Sequence, residues 1–261
     1  MRKIVTGVWM LVCIAMGVGR WLDLVNYTDT QTGFLTGSHL LRYLILLVAV
    51  LGIMATSFYM PQKSRNLMGQ CAPQGWLAAL TGVVFAALGG LVLVQPENQV
   101  WDFVLAALWL ACGVWMLLLA RSRFTQEFEA PTTSSSMGIV GTLGFYIFTI
   151  QQFAVQPTGI ARISPTICGL TTLVCLVFCT GQVRVAYVPG GKTARCLWRY
   201  GLMAFLFATC LNLPDAVFWY WMNEIQLIEL LQSVALAVVG LMGLVYAFTL
   251  TEPSKAIPDQ L

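Results

Sequence analysis

The chain has 261 residues, of which 58% are hydrophobic and only 10% charged, with a formal net charge of +3 and a mean hydropathy of +0.78. Soluble domains carry about 25% charged residues, so this composition excludes an ordinary soluble domain and points to a membrane protein. No interval between apolar runs exceeds about 17 residues, which leaves no room for a soluble catalytic or signalling module.

Taken in chain order, eight apolar runs are long enough, at about 1.5 Å per helical residue, to cross a hydrocarbon layer of about 30 Å. They are Ile4–Val25, Leu40–Met60, Trp76–Val94, Val100–Ala120, Met137–Val155, Ile163–Tyr187, Leu197–Trp221 and Ile225–Leu250. The expected fold class is therefore all-α: a polytopic transmembrane helix bundle of about eight spans arranged as four helical hairpins. The Met-Arg-Lys start before the first run has the look of a secretory signal. Because the run continues unbroken through Val18–Val25, it is expected to remain as an uncleaved first span.

The first polar gap, Arg20 to Arg42, is the most informative stretch. It holds the chain's one histidine, His39, with Arg20 and Asp23 inside the end of the preceding run and Arg42 inside the start of the next. Arg20 lies 16 residues after Ile4, about 24 Å along a helix, so it falls several Å inside the hydrocarbon boundary. Asp23 is three residues on and shares its face. A charge at that depth needs a partner or a polar cavity, and we read the gap as the rim of a polar mouth.

The linker Arg121–Ser136, rich in Ser, Thr and polar residues, is the candidate boundary between halves 1–130 and 131–261 of a single integral membrane domain. Outward turns contain Val-Gln-Pro twice, at Val94–Pro96 and Val155–Pro157, and Gln151, Gln152 and Gln156 precede Arg162. In the seventh run, Asn212-Leu-Pro-Asp215 interrupts an apolar sequence. Proline removes a backbone donor, so a kink or break is expected there, with Asp215 turned toward the mouth. Glu224 and Glu229 open the last run.

All Lys and Arg except Arg20, Arg42 and Arg162 fall at one set of span ends. The positive-inside rule makes that side cytoplasmic, together with both termini, and the expected location is the cell membrane. Of the eight cysteines, Cys168, Cys175 and Cys179 share a helix face, but with no Cys-x-x-Cys pair and no nearby histidine they are read as packing residues. Small residues in Gly82–Gly90 and Val239–Gly243 are read as helix seams.

The candidate ligand-binding residues are Arg20, Asp23, His39, Arg42, Asp102, Arg162, Asn212, Asp215 and Glu224. Acids and arginines converging from separate spans suit a small polar or zwitterionic ligand, an ion or a lipid head group. No glycine-rich phosphate loop, His-Glu-x-x-His or Gly-x-Ser-x-Gly segment is present, and no basic aromatic patch that would bind nucleic acid. No catalytic residue, metal site or cofactor is expected. Three roles follow: a transport or ligand-binding protein, which the charges favour; a structural or regulatory membrane subunit with a partner subunit; or a membrane enzyme acting on a lipid or peptide, with His39 and Asp215 as its candidate groups.

Two short segments, Phe-Leu-Thr-Gly-Ser-His-Leu at Phe34–Leu40 and Ala-Arg-Ile-Ser-Pro-Thr at Ala161–Thr166, are similar to the signature segments of undecaprenyl-diphosphate phosphatases, which are eight-span proteins. The glutamates of that family's first segment and the Gly-x-Ser-Arg-Ser core of its second have no counterpart here, so no phosphatase chemistry is implied. The opening, with Arg20, the Asp-Thr-Gln-Thr-Gly-Phe loop at Asp29–Phe34 and the apolar span after His39, resembles uncharacterised multi-pass membrane proteins of Firmicutes bacteria. That resemblance implies no activity.

Overall fold

The computed structural model describes residues 1–29, 36–62, 70–94, 100–125, 130–132, 134–155, 163–188 and 193–251. Its elements are α1 (Arg2–Tyr27), α2 (His39–Thr56, prolonged by a 3₁₀ turn at Ser57–Tyr59), α3 (Ala72–Val94), α4 (Val100–Phe124), α5 (Ser136–Val155), α6 (Ile163–Tyr187), α7 (Ala194–Ala204), a π-helical segment (Phe205–Asn212), α8 (Leu213–Trp221) and α9 (Leu227–Leu250). The fold is a helix bundle. Among the described residues, seven helical stretches are long and apolar enough to cross a membrane, with α7, the π segment and α8 counting as one of them. Helix α5, 20 residues long and also strongly apolar, occupies the place of the fifth expected span and packs between α4 and α6. Arg162, Gln156, the Pro of both Val-Gln-Pro turns and most of the Asp29–Phe34 loop lie outside the described residues.

The central layer is α9 packed against α7 and the π segment, surrounded by α3 with α4, then α5 and α6. Helices can approach this closely where small residues let backbones touch. A β-carbon at Gly82 of α3 would stand 2.8 Å from the carbonyl oxygen of Gly113 in α4, and Gly201 of α7 faces Gly243 of α9 in the same way. The buried Thr171 and Thr172 of α6 and Thr149 of α5 satisfy their hydroxyls within the bundle, Thr149 donating to Thr172 at 2.9 Å.

The seventh span does not break at Pro214. It changes its winding just before it. Pro214 stands in the first turn of α8 and cannot donate to the carbonyl of Cys210, four residues back. Around that missing bond the helix widens into π geometry, in which Leu213 N donates to Ala208 O, five residues back. The loosened backbone finds another partner in Thr171, which donates its hydroxyl to Phe207 O at 3.2 Å, while the Thr209 side chain ties the segment to α9 by donating to Ala237 O at 2.9 Å. The carbonyl of Cys210 bulges toward α1 at Gly17, where a β-carbon would come within 2.7 Å of it. Glycine is required there by the close approach.

The first pair of helices is not a packed hairpin. Helix α1 leans on the π segment and α8, whereas α2 is held at its far end by α7. Trp9 of α1 lies against Gly52 of α2 near one end of the pair, and toward Tyr27 and Ser38 the two helices line a cleft. Both keep long aliphatic faces exposed, including Leu11, Val18 and Leu22 on α1 and Leu44, Leu47 and Leu51 on α2.

At the end of the bundle opposite Tyr27, arginines act as clamps. Arg195 of α7 donates twice to Met60 O, at 3.2 and 3.1 Å, and its guanidinium lies 5.8 Å from the Phe58 ring centre. Arg199 donates to Ser57 Oγ at 3.2 Å. Arg123, in the last turn of α4, is buried, lying over the Tyr246 ring and donating to its hydroxyl at 3.3 Å. Trp198 ties the same end to α1 by donating to Thr6 Oγ1 at 3.0 Å.

Candidate ligand-binding mouth

Arg20 projects from α1 one turn beyond Gly17, the point where α1 touches the π segment. That register carries its guanidinium to Asp215 in the first turn of α8. Arg20 Nε donates to Asp215 Oδ1 at 2.7 Å and Nη2 to Oδ2 at 2.8 Å, a two-pronged pair. Both residues are withdrawn from solvent, at 7% and 4% exposure. Two further bonds leave the same guanidinium: Nη2 donates to Ser164 Oγ at 2.9 Å and Nη1 to Asp23 Oδ2 at 3.3 Å. Ser164, at the start of α6, accepts in addition from Trp219 Nε1 at 3.4 Å.

Asp23 passes the chain of charges on to α2. Its Oδ1 accepts from Arg42 Nη2 at 2.6 Å and Nε at 3.1 Å, and Arg42 Nη2 also donates to Thr36 O at 2.8 Å. Thr36 is fixed in turn by its backbone N–H and hydroxyl, which donate to Tyr27 O at 2.7 and 2.9 Å. The sequence Arg42, Asp23, Arg20, Asp215 therefore alternates in sign and runs from the half-exposed rim into the bundle, with formal charges that cancel.

Beside this chain lies a cleft of about 690 Å³ between α1 and α2, backed by α6 and the π segment. Arg20, Asp23, Tyr27, Thr36, Ser38 and Arg42 stand at its polar end. Its other walls are aliphatic, built from residues such as Val12, Met16, Ile45, Leu46, Ile167 and Leu211. The volume falls within the range of about 300–1,000 Å³ typical of small-molecule sites. No protein-family model, curated protein or solved structure matches the chain. The site is therefore argued from its own chemistry.

Of the residues singled out from sequence, four converge: Arg20, Asp23, Arg42 and Asp215. Asn212 is buried one turn before Asp215, and its Nδ2 has no hydrogen-bond partner among the described residues. His39 opens α2 but does not line the cleft, and its Nδ1 is also without a partner. Asp102, in the first turn of α4, and the exposed Glu224, in the turn between α8 and α9, join neither the charge chain nor the cleft wall. Arg162 lies outside the described residues.

Sequence reasoning missed Ser164, Thr36 and the aliphatic cleft. Ser164 carries a weak signal, because a Ser-Pro pair opening a long apolar run places a hydroxyl at a helix start. The cleft has none, since it arises from how α1 and α2 are placed against α6 and the π segment. The eight cysteines are free thiols, most of them buried among helices. Among the described residues no group of three or more His, Cys, Asp or Glu could hold a metal ion.

Proposed function

We propose that this chain is a multi-pass protein of the cell membrane, with both termini cytoplasmic, that binds an amphiphilic ligand at an outward-facing mouth. The ligand's polar head meets the Arg20, Asp23 and Arg42 group while its apolar part enters the cleft between α1 and α2. The supporting observation is the make-up of that cleft: charged and hydroxyl groups at one end and aliphatic walls along the rest. This narrows the expectation of a small polar or zwitterionic ligand to one with a hydrocarbon portion. Binding is favoured over transport, because moving a head group inward past Arg20 would require parting a buried two-pronged ion pair. The bilayer is the partner this reading requires, and grouping the chain with the Firmicutes membrane proteins it resembles belongs to the same proposal.

The test uses Gly19, which lines the cleft and where an added β-carbon meets no atom within 4 Å. Gly19→Phe adds a ring on the cleft wall at a position whose β-carbon meets no neighbour. Purified protein carrying it should retain much less co-purified or added phospholipid than wild type while melting no earlier; equal lipid retention defeats the reading. Topology is checked by reporter fusions, with those after Met68, Thr132 and Gly190 cytoplasmic and one after Thr32 external.

A structural or regulatory subunit is the second reading, favoured by one observation: Arg20, Asp23 and Asp215 satisfy one another. Under that role Gly19→Phe leaves lipid retention untouched, and only assembly or stability responds to changes in the charge chain.

A further inference from the structure

The two arginines of the mouth differ in what they have left to offer. All three guanidinium nitrogens of Arg20 donate to Asp215, Ser164 or Asp23. Arg42 uses Nε and Nη2 on Asp23 and Thr36 O, but its Nη1 is shielded from solvent and has no hydrogen-bond partner among the described residues. The carboxylate between them is fully engaged, with Oδ1 accepting from Arg42 and Oδ2 from Arg20. The unmet capacity at this end of the cleft is therefore a charged donor. A shielded guanidinium nitrogen without an acceptor is costly, and an oxyanion is the acceptor it matches best.

The backbone adds the same sign. Gly37, in the left-handed region at φ 97°, turns the chain into α2, and Ser38 caps that helix by accepting from Leu41 N at 3.4 Å. Both residues line the cleft, so the positive end of the α2 dipole faces it beside Arg42. A cationic head would meet an already neutralised carboxylate and this positive helix end. An anionic head supplies the acceptor that Arg42 Nη1 lacks.

We infer that the ligand is an anionic amphiphile, a lipid whose head carries an uncompensated oxyanion such as a phosphate, with Arg42 Nη1 as the group that receives it. This rests on the cleft reading above and adds the sign and chemistry of the head. Displacement of Asp23 is not needed. Nη1 is free while Nε and Nη2 keep their bonds, so Arg42 bridges Asp23 and the ligand.

The experiment is lipid retention by the full-length protein in neutral detergent, read by native mass spectrometry with equal amounts of phosphatidylglycerol and of a diacylglycerol with the same chains, which lacks the phosphate. Wild type should prefer phosphatidylglycerol by roughly tenfold, the effect expected of one hydrogen bond to a charged group. Arg42→Gln should bring the preference close to one. Should that variant fold poorly, Arg42→Lys keeps a cation beside Asp23 yet commits its single ammonium there, and it should lose most of the preference as well. Gly19→Phe should lower retention of both lipids together. A preference that survives both Arg42 variants overturns the head-group inference while leaving the cleft reading intact. Retention of both lipids unchanged in Gly19→Phe overturns the cleft reading itself. If inorganic phosphate at millimolar concentration displaces phosphatidylglycerol from wild type, the ligand is the free anion and the amphiphile is wrong.

Discussion

Arginine is used in two different ways at the two ends of this bundle. At the mouth, Arg20 and Arg42 are bound to carboxylates, and the charges close on themselves in an alternating chain. At the opposite end, Arg195 and Arg199 donate to a carbonyl and a hydroxyl and lie against the rings of Phe58 and Tyr200. The first arrangement neutralises charge inside the protein. The second keeps a positive charge at the surface and uses the guanidinium as a splint between α7 and the end of α2. Substitutions at the two ends should therefore differ in kind as well as in size, since one leaves a buried charge behind and the other does not.

The largest effect is expected from Asp215→Ala, which strands Arg20 without its principal partner and should cost about 3–5 kcal/mol of stability. Arg20→Met combined with Asp215→Leu should recover most of that loss in thermal melts of the detergent-solubilised protein. Equal melting of the single and double variants would show that the two charges are not energetically joined, and the contrast between the ends would disappear.

Next comes Gly17→Val, which crowds the Cys210 carbonyl and should cost up to about 3 kcal/mol. Because the added side chain pushes α1 from the π segment and draws Arg20 from Asp215, the cost of Asp215→Ala should shrink in its presence. Additive losses would mean that the glycine contact and the ion pair are independent.

Ser164→Ala removes one acceptor from Arg20 and from Trp219 and should cost about 1.5–2 kcal/mol, as for other hydrogen bonds to charged groups. The smallest effect belongs to the opposite end. Arg199→Gln should cost about 1 kcal/mol, and no change to an acidic residue should rescue it. Rescue by an acid-removing second substitution would show that this end too relies on charge pairing.

The convergence of Arg20, Asp23, Arg42 and Asp215 was readable from the chain because each is an ion set inside an apolar run, where solvation by hydrocarbon fails and a partner must exist. Proximity to a span end was a weaker guide. Asp102 and Glu224 are also near span ends in the sequence, yet Asp102 is in the first turn of α4 away from the cleft wall and Glu224 is exposed in the α8–α9 turn. Helices such as α3 to α6 are apolar around most of their circumference, so no polar stripe reveals which side faces which neighbour. For the same reason Arg123, whose sequence position suggests a loop cation, turns out to be buried against Tyr246. The expected disturbance at Pro214 was located correctly, but its form depends on tertiary contacts. Thr171 and Gly17 accept a widened turn where an isolated helix would kink.

The Arg20 to Asp215 pair joins residues 195 positions apart. Translation at about 5–20 residues per second separates their appearance by roughly 10–40 s. For that interval the arginine of α1 has no final partner, and Asp23, three residues away, is its local companion. The newborn chain is thus held in a provisional arrangement that the arrival of the seventh span resolves. Closure of the pair marks the moment at which the first helix ceases to be a lone insert and is committed to its place beside the last third of the protein.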